Sequence, residues 1–249
     1  NTEDFVYSVQ NTDRLKLWSP SLKFDRDFDA DRNYLKYNCD NTIYCTESQF
    51  NLTHSSEPNL TKFSVLHINA RSLFKNFDNI LLFINSLDHK FSIIAISETW
   101  LDDFKQKFMH INGYNLITKH RPESRGGGVA LYIDSSLHFI ERSDLNAMHI
   151  TDTEQLFVTI SLKHNINVNV GAIYSKPDKD IQLFNDSLSK LVDKIGCEKT
   201  MSFIAGDYNI NLLKYENHSE TNNFLNTMFE HHYFPLITRP TRFSSNGST

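Results

Sequence analysis

The short, mostly apolar run Met201-Ser202-Phe203-Ile204-Ala205 is followed at once by Gly206-Asp207-Tyr208-Asn209. A run of that length suits a buried strand better than a helix. Polar side chains placed where such a strand leaves the core cost desolvation unless something uses them. Side chains alternate along an extended chain, so Asp207 and Asn209 are expected on the same side of the strand's end. A carboxylate there takes a proton from water or holds a cation, and a carboxamide both accepts and donates. Gly-Asp also opens ordinary turns, so the motif acquires chemical meaning only if other strands end the same way.

Length and composition bound the setting. A chain of 249 residues is enough for one large domain or two small ones, and 39% hydrophobic with 22% charged residues is the balance of a globular protein with a substantial core. The net charge of -5 offers no bulk attraction for a nucleic acid. An enzyme that cuts nucleic acid needs none, because its site itself holds cations. Cys39, Cys45 and Cys197 supply neither a disulfide framework nor the ligands of a structural zinc site. That points to a reducing, intracellular setting rather than secretion. No apolar run reaches membrane-spanning length and no signal peptide opens the chain, so no membrane partner is expected. Asn51 and Asn59 sit in glycosylation-type triplets of a kind that an Asn-rich segment produces by chance.

Residues 1–61 are dense in Asn, Asp, Ser and Thr and hold no sustained period, which reads as an irregular extension with scattered aromatics such as Tyr44 and Phe50 that could dock onto the body. From Lys62 the pattern sharpens. Strands are expected over Phe63–Ile68, Phe91–Ile96, Tyr114–Ile117, Val129–Ile133, Gln155–Leu162, Val168–Tyr174 and Tyr233–Ile237, besides the one ending at Gly206. Phe77, Ile80, Leu81, Ile84 and Leu87 define one amphipathic helix, and Ile181, Phe184, Leu188, Leu191 and Ile195 another. A short polar helix is expected near Phe104–His110, and Ser219 is read as the cap of a last helix. Strands alternating loosely with helices, plus consecutive strands in the middle, imply an α/β fold of two mixed sheets packed face to face and covered by helices.

Three of these strands end in polar clusters: Asn69, Glu98, and Asp207 with Asn209, while Tyr174 ends a fourth. Strand mouths on one rim are the usual place for a site in an α/β sheet. Glu98 supplies a hard oxygen ligand, and Mg²⁺ is typically held by one or two carboxylates with water and substrate phosphate completing its shell. Asp207 would orient or deprotonate water, and Asn69, Asn209 and Tyr174 would bind phosphate oxygens. The set suits hydrolysis of a phosphate ester. Each member also has a plain structural reading: Glu98 as a solvated strand end, Tyr174 as a packed aromatic, His67 as a core or strand-pairing histidine, and His231-His232 as a helix C-terminus. The triple glycine 126–128 matches no nucleotide-binding spacing and reads as a turn or close backbone approach. Arg121 and Arg125 beside it are placed to reach a phosphate backbone.

In chain order, His67-Ile68-Asn69-Ala70-Arg71-Ser72, Ile96-Ser97-Glu98-Thr99-Trp100-Leu101, Arg125-Gly126-Gly127-Gly128-Val129-Ala130, Tyr174-Ser175-Lys176-Pro177, Gly206-Asp207-Tyr208-Asn209 and Arg239-Pro240-Thr241-Arg242 resemble the endonuclease/exonuclease/phosphatase superfamily. Within it, they are similar to the apurinic-type endonuclease domain of non-LTR retrotransposon polyproteins. The resemblance covers residues 62–249. It implies a four-layered α/β sandwich and hydrolysis of a DNA phosphodiester with Mg²⁺, or Mn²⁺ in its place. It further implies a nick that primes a downstream reverse transcriptase domain, and work in the nucleus. Glu98 would be the metal ligand with help from Asn69, Asp207 would activate water, and Asn209 and Tyr174 would contact the phosphate. Arg121, Arg125 and Thr241 would lie toward the DNA.

The family carries two further elements after the Pro-Thr-Arg segment, an Asp in an Ile-Asp-x-Ile strand and a Ser-Asp-His, and residues 1–249 hold neither. The resemblance therefore implies a sandwich lacking its last strands and transition-state stabilisation reduced by roughly a few kcal/mol, hence little or no activity for these residues alone. A phosphoinositide or sphingolipid phosphatase on the same fold, and an inactive relic that at most binds nucleic acid, are the alternatives.

Overall fold

A computed structural model describes residues 5–8, 42–54, 63–121, 126–241, 243–244 and 247–248. Contacts divide the chain into two compact units, Phe63–Ile210 and the segments Asn1–Lys62 with Asn211–Thr249.

Two four-stranded sheets make up the unit Phe63–Ile210. The first contains β3 (Val65–Asn69), β4 (Ile93–Ser97), β5 (Tyr114–Lys119) and β6 (Val129–Asp134) in the order β3-β4-β6-β5. The second contains β7 (His138–Glu141), β8 (Thr153–Ser161), β9 (Asn167–Ser175) and β10 (Met201–Asp207) in the order β10-β9-β8-β7. Each sheet has one parallel edge pair, β3 with β4 and β9 with β10, and is otherwise antiparallel. Parallel neighbours need a crossover. Helix α2 (Leu73–Ser86) supplies it in the first sheet and α4 (Ile181–Gly196) in the second.

The sheets face each other across one core. Ile93, Ala95, Val129, Leu131 and Ile133 from the first meet Leu156, Val158, Ile160, Val168, Val170 and Ala172 from the second. Alternation sends Ile94, Ile96, Ala130 and Tyr132 to the opposite face of the first sheet. These are also fully buried, so the central strands are covered on both sides. That explains why β4 and β6 read as continuous apolar runs. The crossover helices bear matching buried stripes, Leu73, Ile80 and Ile84 on α2, and Phe184, Leu188, Leu191, Val192 and Ile195 on α4. Asp180 caps α4 by accepting a hydrogen bond from the backbone N–H of Leu183 at 3.0 Å. Helix, sheet, sheet and helix form the four-layered α/β sandwich that the sequence led us to expect.

The other unit contains β1 (Phe5–Ser8) paired antiparallel with β2 (Thr42–Cys45), α1 (Glu47–His54), α5 (Ser219–Glu230), and the short pair β11 (Phe243–Ser244) and β12 (Gly247–Ser248). Thus part of the segment read as irregular is regular. Strand β2 is tied to the C-terminal segment: the Thr42 hydroxyl bonds the Leu236 carbonyl at 3.2 Å, and the Tyr44 hydroxyl donates to the Pro240 carbonyl at 2.6 Å.

The differences from the sequence reading have local causes. The strand expected over Tyr233–Ile237 is irregular chain. Its Phe234 ring packs on Phe229, and its Leu236 carbonyl takes the Thr42 side chain rather than a ladder partner. The cap of α5 is His218, whose Nδ1 accepts from the backbone N–H of Thr221, not Ser219. Strand β7 and the one-turn helix α3 (Ser143–Asn146) were not anticipated, because β7 is an edge strand whose Ile140 is exposed. No helix among the described residues is long and apolar enough to cross a membrane.

Candidate active site

The chain leaving β4 is held on both sides. On one, Ala70 N–H donates to Ser97 O, Ser72 N–H to Glu98 O and Leu73 N–H to Thr99 O, each at 2.9 Å. On the other, Thr99 N–H and Trp100 N–H donate to the carbonyls of Gly128 and Gly127 at 3.2 and 3.0 Å. The first turn of α2 is thus capped by the backbone of the next strand's exit. To satisfy both sets, Glu98 adopts φ +52°, Trp100 +50°, Arg71 +41° and Ser72 +85°. A residue bearing a Cβ costs about 1–2 kcal/mol in the left-handed region, so the rim of this sheet holds stored strain.

The three strand exits converge. The Asn69 carboxamide at the end of β3 donates from one nitrogen to Glu98 Oε1 and to Asp207 Oδ2, both at 2.8 Å. Its oxygen accepts the Arg71 N–H at 3.2 Å. Asp207 Oδ1 in turn accepts the Asn209 N–H at 3.0 Å. Strand β10 ends at Asp207 and Asn209 lies at φ +49°, so the expected alternation does not extend to it. Its carboxamide instead donates to the Ser175 carbonyl at the mouth of β9, at 2.9 Å. Tyr174 stands opposite Asp207 in the parallel ladder and opposite Glu154 in the antiparallel one. Carboxylates from two sheets therefore share one amide, with a phenol on the adjoining strand.

Charge on this rim is felt by its neighbours. Burial raises the Tyr174 pKa, and the Glu98 and Asp207 carboxylates raise it further, which keeps the phenol a proton donor. Burial lowers the His67 imidazole to about 4 against the pull of Asp207, and its Nε2 lies 3.1 Å from the Ser97 hydroxyl on β4. This agrees with the strand-pairing reading of that residue. Lys179 is buried, its ammonium donating to the Tyr208 carbonyl, and burial lowers it to about 8 while Asp207 opposes the shift.

The donor set can be compared with what a metal requires. Among the described residues there is no cluster of three or more His, Cys, Asp or Glu placed to hold a metal ion. Two adjacent carboxylates do match the sparse protein ligation of Mg²⁺, and Glu98 Oε2 accepts no hydrogen bond among the described residues. As placed, Asn69 presents N–H groups to the carboxylates while its oxygen faces Arg71, so Glu98 and Asp207 are the oxygens open to a cation.

The remaining expected residues are distributed differently. Arg121 joins the rim through an ion pair with Glu154. Arg125 lies outside the described residues, and Thr241 is exposed and belongs to the other unit. Glu154 escaped the sequence reading altogether. Its one signal was a lone acid opening a strand whose neighbour ends in Tyr174. The triple glycine behaves as a close approach: a Cβ on Gly127 would collide with Glu154 and Arg121, and one on Gly128 with Thr99.

The sequence model of the endonuclease/exonuclease/phosphatase family matches residues 65–249. The chain belongs to that family. Among solved structures of the same fold is the endonuclease domain of TRAS1, a telomere-specific non-LTR retrotransposon, at 15% identity and a TM-score of 0.53, covering 76% of this chain and 81% of that one. Another is the AP endonuclease LMAP from Leishmania major, at 14% identity and a TM-score of 0.54, covering 82% of this chain and 78% of that one. Identities this low express likeness of fold. Comparison with curated protein sequences gives no match. As a member of the endonuclease/exonuclease/phosphatase family, the chain has the architecture of nucleases and phosphatases, and its Asn69–Glu98–Asp207 group sits where strands of both sheets end.

Proposed function

We propose that this chain is the endonuclease domain of a non-LTR retrotransposon polyprotein, hydrolysing a DNA phosphodiester with Mg²⁺ to prime a downstream reverse transcriptase in the nucleus. The observation that carries the reading is the shared Asn69 amide, which draws Glu98 and Asp207 together beside the Tyr174 phenol. Two carboxylates held this close by a neutral donor form a place where a divalent cation is electrostatically favoured. The two fold relatives named above are endonucleases, one of them from a non-LTR retrotransposon.

Mg²⁺, held by Glu98 with Asp207 alongside, would offset the charge that develops on the phosphate. The chain's own groups do the rest. Asp207 takes the proton of the attacking water at a carboxylate oxygen, with the Asn209 N–H fixing its orientation. The Tyr174 hydroxyl, kept protonated by its surroundings, donates to a non-bridging phosphate oxygen. Asn209 has one amide hydrogen left for the same purpose after bonding Ser175, and Asn69 keeps both acids in register. Arg121, Arg125 and Thr241 contact the DNA backbone in this scheme.

The test is nicking of supercoiled plasmid by residues 1–249 and by the product of the whole source reading frame, with Mg²⁺, Mn²⁺ or EDTA. Open circles should appear with the divalent ions only, faster with the longer product, and disappear in Glu98→Gln and Asp207→Asn. Nicking by the longer product that survives EDTA, or survives both substitutions, refutes the mechanism. Release of inorganic phosphate from an inositol phosphate in place of nicking would move the chain to the phosphatase branch.

A further inference from the structure

The Glu154 carboxylate faces the rim from β8 and uses both of its oxygens. Oε1 pairs with Arg121 Nε, and Oε2 accepts the Gly128 N–H at 2.9 Å. The side chains of Arg121 and Glu154 are 20% and 9% exposed, so this pair is largely shielded from solvent. Of the other two guanidinium nitrogens, Nη2 is buried without a hydrogen-bond partner, against Gly127. Nη1 makes no hydrogen bond among the described residues and is not among the buried unpaired atoms, so it meets solvent. A cation with most of its donors unspent, anchored through one nitrogen, is prepared to bind an anion. Its place is beside the proposed site: Glu154 is the ladder partner of Tyr174, and the charges of both Arg121 and Glu154 act on the Tyr174 phenol.

The same carboxylate reaches the metal-holding side through backbone. Gly128, whose N–H it takes, accepts the Thr99 N–H through its carbonyl, next to Glu98 at φ +52°. One acid therefore fixes a cation and a catalytic loop together. Glycine is required where it does so, since a Cβ at Gly127 would occupy the space of the ion pair.

We infer that Glu154 is a positioning residue for phosphate recognition, holding Arg121 so that its solvent-facing Nη1 grips a phosphate of the DNA strand being cut. This deepens, and rests on, the endonuclease reading. Lysine would not substitute for Arg121, because a point charge cannot bond Glu154 sideways and keep a separate nitrogen aimed at phosphate.

The experiment measures binding of a fluorescein-labelled 30-base-pair duplex across salt concentrations in Ca²⁺, with KM and kcat for nicking in Mg²⁺, on the full-length product. Arg121→Ala should weaken binding about tenfold and lower the salt slope by about 1. Glu154→Ala should do the same although it removes a negative charge, and Arg121→Ala/Glu154→Ala should be no worse than Arg121→Ala alone. Glu154→Gln, which keeps the shape and one acceptor, should fall between, with KM raised more than kcat is lowered. A purely structural Glu154 would lower Tm and kcat while leaving the salt slope and KM unchanged, and that result overturns the inference. So does additivity of the two alanine substitutions. If Glu98→Gln and Asp207→Asn abolish nicking while Arg121→Ala changes nothing, this inference falls and the endonuclease reading stands. If the wild-type product neither binds nor nicks DNA, both fall.

Discussion

Replacing Gly206 with alanine would set a methyl carbon against the carbonyl oxygen of Ile173, closer than any non-bonded contact allows. Gly206 and Ile173 are partners in the parallel ladder of β10 and β9. The obstacle is backbone, so no rotamer change relieves it, and β10 must part from β9 just before Asp207. Overpacking of this kind costs about 1–3 kcal/mol and at times more, and each ladder hydrogen bond lost adds about 1 kcal/mol. A total of roughly 3–4 kcal/mol corresponds to a fall in Tm of about 10 °C for a domain of this size. Gly196, the last residue of α4, is the control: a Cβ there meets nothing within 4 Å. Gly196→Ala should stabilise by about 0.5–1 kcal/mol, through helix propensity and a less flexible unfolded chain. Thermal and urea unfolding followed by circular dichroism compare the two variants with wild type. Gly206→Ala unfolding within 2 °C of Gly196→Ala, on the order of experimental error, would show that β10 is not pinned against β9 as described. The reasoning about how Asp207 is placed would fall with it.

Asn69→Ala leaves two carboxylates adjacent with no shared donor, so its Tm in EDTA should fall below wild type by about 3–6 °C; added Mg²⁺ should recover most of that loss, and an equal deficit in both conditions would count against a cation at this place. Arg142 bonds Asp144 and Glu198 from a position 15% exposed, and those bonds hold both carboxyl pKa values below the usual range. Groups with a depressed folded pKa stabilise above the unfolded pKa and lose that contribution as pH falls through the folded one. The stability this cluster supplies should therefore be present at pH 7 and decline below about pH 4. Arg142→Gln should cost about 1–2 kcal/mol at pH 7, discounted for the solvent exposure of its partners, and flatten that acid decline in urea titrations at several pH values.

The strands that line the inter-sheet core were legible because burial on both faces leaves an apolar run with little room for polar residues, as in Ile93–Ser97 and Val129–Asp134. β7 was not, since an exposed edge strand carries no such constraint. Phe234, Leu236 and Ile237 misled for the opposite reason: they are apolar, yet the backbone of this stretch is engaged by the Thr42 side chain, at the Leu236 carbonyl and the Thr238 N–H, rather than by a ladder partner. Within the site, Asn69, Glu98 and Asp207 announced themselves as polar residues at strand exits. Asn209 was placed by a period of two that stops at Asp207. Glu154 was hidden because its meaning depends on register: it matters only when it stands opposite Tyr174 and beneath the glycine loop.

Glu98 sits at φ +52°, a conformation that glycine or asparagine accepts far more readily than glutamate. Glu98→Gly or Glu98→Asn should relax the loop by about 1 kcal/mol, so at this position folding and the proposed metal-holding role of the carboxylate pull in opposite directions. Under the endonuclease proposal, a genomic copy released from catalytic duty would drift toward the relaxed residues here sooner than at the buried strands. The fate of this codon across sibling copies would then record how recently each one could still cut.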